Sequence, residues 1–330
     1  MITLTPIART LLSLALSVLP LATSAQQPVC SPPTEPLPVL KPQRTGGLQT
    51  VDGAMVPFDY CHKSVSFEVP SLLEKPPLMV LVHGGAGKDG GTLFAAESFR
   101  SKGMATLVFD AFQMNGFNQG AQFFASKVSN EARQRMLYAT ALGAYEWALQ
   151  QDKIDNRRIL FHGLSNGGTV VANLAAVVDP KYVIALIAEG APSLGLGLPD
   201  ELKAPLKMVF GKLDNYAGRS IDEFIWLRQE SCAGNVVRFN HPKGNSITCN
   251  PLNPYSSVNP KPIDWYQAQK AKGADIDLWW LEDTAHGVFN GPINKRMITY
   301  GESDHRFAWV GGTPAARTKF LNDVAALTKR

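Results

Sequence analysis

The chain has 330 residues, 45% hydrophobic and 18% charged, which describes a globular protein with enough length for a large core, as one large domain or two ordinary ones. Its formal net charge of +4 is small and scattered, which argues against nucleic acid or an anionic membrane surface as a partner.

The opening residues, "MITLTPIARTLLSLALSVLPLATSAQQ", carry Arg9, then an apolar run from Leu11 to Ala22, then the small residues Ser24 and Ala25. That is the layout of a secretory signal, and the apolar run is too short to span a bilayer comfortably. Residues 1–25 are therefore expected to be cleaved as a signal peptide, leaving a secreted or periplasmic protein with no membrane anchor. Cleavage removes Arg9 and no acidic residue, so the charge falls from +4 to +3. From residue 26 to 45 the chain is rich in proline, "QPVCSPPTEPLPVLKPQRT", and reads as an extended surface arm.

Beyond the arm, apolar runs alternate with amphipathic segments. "PLMVLVHGG" and "MATLVFDAF" read as buried strands, the second ending at Asp110. Residues 128–151 place Met136, Leu137, Ala141, Tyr145 and Ala148 at helical spacing. "RRILFHG" is a strand and "GGTVVANLAAVV" a small-residue helix. "YVIALIAEG", "LKMVFGKLD" and "DIDLWWLED" are three more strands, with "SIDEFIWLRQES" and "DWYQAQKAK" as helices between them. Trp279 and Trp280 alternate faces of the last strand, so at least one belongs to the core. Strands alternating with helices predict one α/β domain over residues 46–330, built on a mostly parallel central sheet with helices on both faces. The Asn-, Pro- and Ser-rich stretch at about 232–262 breaks the rhythm and reads as an insertion.

Export favours disulfides among the four cysteines, which allow three pairings. Cys232 and Cys249 flank a polar loop whose closure would contribute on the order of 3 kcal/mol. Cys30 and Cys61 then remain for each other. Neither a C-x-x-C nor a clustered Cys/His spacing supports a metal site, so no metal is expected.

In open parallel sheets, catalytic groups gather at the carboxyl ends of the strands. Gly163, Ser165 and Gly167 form G-x-S-x-G between a strand and a helix, the context of a nucleophile elbow, where side chains flanking the serine would collide with the adjacent strand and helix. A serine hydroxyl needs a histidine base, itself oriented by a carboxylate. His286, in "LEDTAHGVF", follows the last strand and is the candidate base; His162, beside the serine, reads as a packing or hydrogen-bonding residue. Asp214, in "MVFGKLDNYAG", gives the order Ser165, Asp214, His286, while Glu189 after "VIALIAEG" is the competing acid. Asp283 is read as helping the histidine loop to fold. Oxyanion donors are expected from the backbone of Asn166 and of Gly84 or Gly85 in "HGGAGKDGG", a stretch without the spacing of a phosphate loop. His83 is assigned to holding that loop.

"VLVHGG", "HGLSNGG", "GKLD" and "DTAHGVF", in this order, resemble the α/β-hydrolase superfamily and, within it, the dienelactone hydrolase-like branch. The resemblance covers roughly residues 75–290. It implies an α/β-hydrolase fold and cleavage of esters or lactones by a Ser or Cys nucleophile with Asp and His, without metal or organic cofactor. Carried over, the nucleophile, acid and base fall on Ser165, Asp214 and His286, and the oxyanion donors on Gly84 or Gly85 and Asn166. The chain departs from the dienelactone hydrolases proper in carrying serine where they have cysteine, and in its export signal and insertion.

The expected activity is therefore serine hydrolysis of a small-molecule carboxylic ester through an acyl-enzyme. A prolyl oligopeptidase-type peptidase and a non-catalytic binding protein with the same fold are the alternatives; the first is disfavoured because no propeller-length partner domain precedes the catalytic part. Asp110 and Phe112, with Phe117, Phe123 and Phe124 in the loop that follows, are expected beside the substrate pocket; the alternative is that Asp110 braces a loop and the aromatics pack under it.

Overall fold

A computed structural model describes residues 58–71, 73–116, 130–191, 196–214, 262–299 and 305–329, all within one compact unit, Pro32–Arg330. The expected signal peptide, proline-rich arm and insertion, the helix at 220–231, and Phe117, Phe123 and Phe124 lie outside the described residues.

Seven strands form the main sheet: β1 (Ser66–Glu68), β2 (Leu78–Val82), β3 (Ala105–Val108), β4 (Ile159–Leu164), β5 (Val183–Glu189), β6 (Leu206–Gly211) and β7 (Ile276–Leu281). Their order is β1-β3-β2-β4-β5-β6-β7, and every pair is parallel except β1 with β3. The central strands are continuous apolar runs because both faces are covered. In β2, Leu78, Val80 and Val82 enter one core and Met79 and Leu81 the other, as a period of two requires.

Helices α1 (Gly90–Arg100), α2 (Ala111–Met114), α3 (Asn130–Leu149), α4 (Asn166–Leu174), α5 (Pro262–Ala271) and α6 (Pro314–Leu327) accompany the sheet. The first core takes Leu137 and Ala141 from α3, Val170, Val171 and Leu174 from α4, and Trp265 from α5. The second takes Ala95, Ala96 and Phe99 from α1 and Phe320, Leu321, Val324 and Leu327 from α6. Asp89 caps α1 by accepting from the Thr92 N–H at 2.9 Å, and Thr313 caps α6 in front of Pro314. Trp279 packs against the second core, whereas Trp280 is 39% exposed.

A separate antiparallel hairpin joins β8 (Asn294–Thr299) to β9 (His305–Val310). Its outgoing end is stitched to the loop after β7: the His286 N–H donates to the Trp309 carbonyl at 3.2 Å, and the Ala285 N–H to Gly311 at 2.8 Å. The architecture is the α/β-hydrolase fold, a mostly parallel mixed sheet flanked by helices.

Of the four cysteines, Cys61 alone lies within the described residues and is disulfide-bonded; Cys30, Cys232 and Cys249 fall outside them, so the expected pairing of Cys232 with Cys249 lies outside the described residues.

Candidate active site

Ser165 sits between β4 and α4 with φ 57° and ψ −119°, a strained conformation for a residue with a Cβ. Backbone bonds hold it there. Its N–H donates to the Glu189 carbonyl at 2.8 Å, and its own carbonyl accepts from the Thr169 N–H at 3.0 Å to start α4. A Cβ at Gly163 would overlap the Gly167 carbonyl and come within 2.7 Å of Val171 Cγ2; a Cβ at Gly167 would overlap the Val82 carbonyl and lie 2.6 Å from that of His83. Both glycines are therefore required by close approach. Gly167→Ala is expected to lower stability by about 1–3 kcal/mol through overpacking, read as a lower thermal unfolding midpoint alongside weakened ester turnover.

The turn after β6 carries Asp214, and the loop after β7 carries His286. The two are joined through the backbone, since the Leu213 N–H donates to the Thr284 carbonyl at 2.9 Å. Their side chains meet: His286 Nδ1–H donates to Asp214 Oδ2 at 2.8 Å. That bond fixes the tautomer and makes Nε2 the basic ring nitrogen. Burial by itself lowers the His286 pKa, but the charge of Asp214, its hydrogen bond and the charge of Glu189 outweigh it, so the net shift is upward.

The ring of His286 lies against the end of β5. A Cβ built at Gly190 would be 3.0 Å from its Cε1 and Nδ1. Since Glu189 holds the Ser165 N–H, the serine turn and the imidazole are anchored on adjacent residues. The glycine loop closes the other side: a Cβ at Gly84 would lie 3.6 Å from Ser165 Cβ, and one at Gly85 3.1 Å from Asn166 Nδ2. Gly84, Gly85 and Asn166 are thus gathered around Ser165.

His83 braces this loop. Its Nδ1–H donates to the Gly84 carbonyl at 2.8 Å, and its Nε2 accepts from the Ala111 N–H at 3.0 Å. Burial pulls its pKa down against the opposing charge of Asp110, in keeping with a neutral ring that both donates and accepts.

Asp110 and Phe112 lie against the glycine loop. Both are 0% exposed. Asp110 caps α2, accepting from the Phe112 and Gln113 N–H groups at 3.0 Å, and also takes the Lys88 N–H at 3.1 Å. Phe112 packs edge-on against His83, with centroids 4.7 Å apart. The four-residue helix α2 turns the chain inward just after β3, so these residues support the glycine loop from within. Glu189 likewise bonds elsewhere than to the His286 ring: its carboxyl accepts from His162 Nε2–H at 2.9 Å and from the Val288 N–H.

Gln134 is a contributor that sequence reasoning missed. Fully buried on α3, it donates through Nε2 to Asn166 Oδ1 at 3.1 Å and accepts the Leu196 N–H at 2.8 Å. The available signal was an amide one turn ahead of Leu137 and Tyr138, on the apolar stripe of the helix. Among the described residues, no group of three or more His, Cys, Asp or Glu is arranged to hold a metal ion.

The chain is an α/β-hydrolase-fold protein. No protein-family model matches it. Among solved structures it is similar to a candidate dienelactone hydrolase from Klebsiella pneumoniae, with 15% identity over 81% of this chain and 92% of that one and a TM-score of 0.50, a likeness of fold. A dienelactone hydrolase from Anabaena variabilis also aligns, at 15% identity over 80% and 90% of the two chains with a TM-score of 0.45. An uncharacterized 31.7 kDa protein of the traX–finO intergenic region of Escherichia coli is 33% identical over 118 residues, 34% of this chain; the match spans only 37% of that relative's length.

Proposed function

We propose that this protein is an exported serine hydrolase that cleaves small carboxylic esters through an acyl-enzyme, with Ser165, His286 and Asp214 as nucleophile, base and acid. The observation that carries the proposal is the 2.8 Å bond between His286 Nδ1 and Asp214, next to a serine held at φ 57° in a strand-to-helix turn.

The chemistry follows from these positions. The Ser165 hydroxyl gives its proton to His286 Nε2 as Oγ bonds the ester carbonyl carbon, and the imidazolium that forms is stabilised by Asp214. Negative charge moves to the former carbonyl oxygen, where the backbone N–H of Asn166 and of Gly84 or Gly85 would receive it. As the carbon–oxygen bond to the alcohol breaks, His286 returns the proton to the departing oxygen. Water then repeats the sequence on the acyl-enzyme, releasing the acid and restoring Ser165. Export is proposed from Arg9, the apolar run from Leu11 to Ala22, and Ser24 with Ala25. Among the described residues no helix is long and apolar enough to cross a membrane.

A fluorophosphonate probe tests the mechanism directly, because it reacts only with an activated serine. Labelling of the wild type at the peptide containing Ser165, and none in Ser165→Ala, is expected. A folded wild-type protein that takes up no label would overturn the proposal.

A further inference from the structure

We propose that Glu189 and His162 form a buried positioning pair that holds the His286 loop in register with the Ser165 turn, and that turnover depends on it. The inference rests on His286 being the base. Three elements converge on Glu189. Its carbonyl accepts the Ser165 N–H at 2.8 Å, one carboxyl oxygen accepts from His162 Nε2–H at 2.9 Å, and the other accepts from the N–H of Val288, two residues beyond His286. Glu189 is 2% exposed and His162 5%. Burying a carboxyl group is costly unless its oxygens are matched with donors, and here one donor comes from β4 and the other from the histidine loop.

His162 is fixed in turn by rings. Phe99, Phe289 and Phe320 surround it with centroids 5.7, 5.8 and 5.7 Å away. Phe289 belongs to the His286 loop. The loop is therefore gripped at Val288 through a hydrogen bond and at Phe289 through ring packing, both referred to β4, the strand that delivers Ser165. A cavity of about 20 Å³ adjoins the pair, bounded also by Leu164, Thr92 and Asn290. Of the described charged groups that act on His286, Asp214 reaches it from the turn after β6 and Glu189 from the end of β5. Removing the Glu189 charge takes away part of what favours the protonated ring.

The test uses the full-length enzyme, p-nitrophenyl acetate, and thermal melting to verify folding. Glu189→Gln keeps an acceptor for Val288 but loses the charge and places an N–H opposite His162. Its kcat is expected to fall about tenfold to a hundredfold, as for small misplacements of a catalytic group, with KM nearly unchanged and the acidic limb of kcat/KM moved to lower pH. His162→Leu, which fits among the three rings but donates nothing, should also lower kcat, and His162→Gln, which keeps a donor, should recover part of it.

A folded Glu189→Gln enzyme with wild-type kcat and an unmoved acidic limb would overturn the positioning role. If that variant does not fold, wild-type kcat in His162→Leu would overturn it instead, and a reduced kcat restored by His162→Gln would support it. Ser165→Ala, assayed in parallel, separates the two levels. An inactive Ser165→Ala beside a fully active Glu189→Gln removes only the pair, whereas an active Ser165→Ala removes the serine mechanism and the pair together.

Discussion

Ser165→Ala is expected to lower kcat for a short p-nitrophenyl ester by at least about 10⁴-fold, the scale set by removal of a nucleophile that acts as a unit with its base. The fold should be untouched. The serine makes no side-chain capping bond to α4, and the two bonds that hold it, from its N–H to Glu189 and from Thr169 N–H to its carbonyl, use backbone atoms that alanine retains. Alanine also meets the same cost as serine at φ 57°, since both carry a Cβ. An unchanged melting midpoint with lost turnover is thus the predicted pair of results. Wild-type-like turnover would mean that the strain at this turn serves something other than nucleophilic attack.

This strain links sequence to chemistry. A turn that forces positive φ on a non-glycine residue, and admits only glycine two residues to either side of it, is a poor way to join a strand to a helix. It is held by contacts from outside itself: Val82 and His83 crowd Gly167, and Glu189 takes the Ser165 N–H. Exposing one hydroxyl at the carboxyl edge of the sheet is what that arrangement achieves.

Much of this was legible because parallel strands buried on both faces must be apolar throughout. "LMVLV", "ILFHGL" and "VIALIAE" announce β2, β4 and β5, and the residues just past them make up the candidate site. What escaped has physical reasons. Strand β1 carries one apolar residue, Phe67, and at three residues long is too short for a period to register. The start of α1 is Gly90 and Gly91, poor helix formers, so its only strong sign was the cap at Asp89. Helix α6 carried a readable pattern, Thr313 and Pro314 ahead of Phe320, Leu321, Val324 and Leu327, but it lies beyond the stretch that the family motifs cover.

The hairpin β8–β9 matters more for the site, since its Trp309 and Gly311 backbone holds both sides of His286. Nothing local to "DTAHGVF" foretells that partner, because backbone pairing across more than twenty residues leaves no mark on side-chain chemistry. Asp110 stayed open between two roles for a related reason. A carboxylate at a strand end can face a pocket or cap a helix, and only the turn of α2 back into the core decides between them.

Asp214→Asn is expected to produce the second large loss, about 10³- to 10⁴-fold in kcat, as when the carboxylate that orients a catalytic imidazole is made neutral. The pH profile should identify the cause. In the wild type the Asp214 charge, aided by Glu189, holds the His286 pKa above the ordinary value of 6.5 despite burial. A base must be unprotonated, so kcat/KM rises with pH through that raised pKa, and the acidic limb lies above 6.5. Asparagine keeps the shape but removes the charge, leaving burial to favour the neutral ring. The limb should therefore move to lower pH even as the plateau falls. If Glu189 were the orienting acid instead, the variant would keep most of its activity. A lowered plateau with an unmoved limb would show that Asp214 merely shapes the loop.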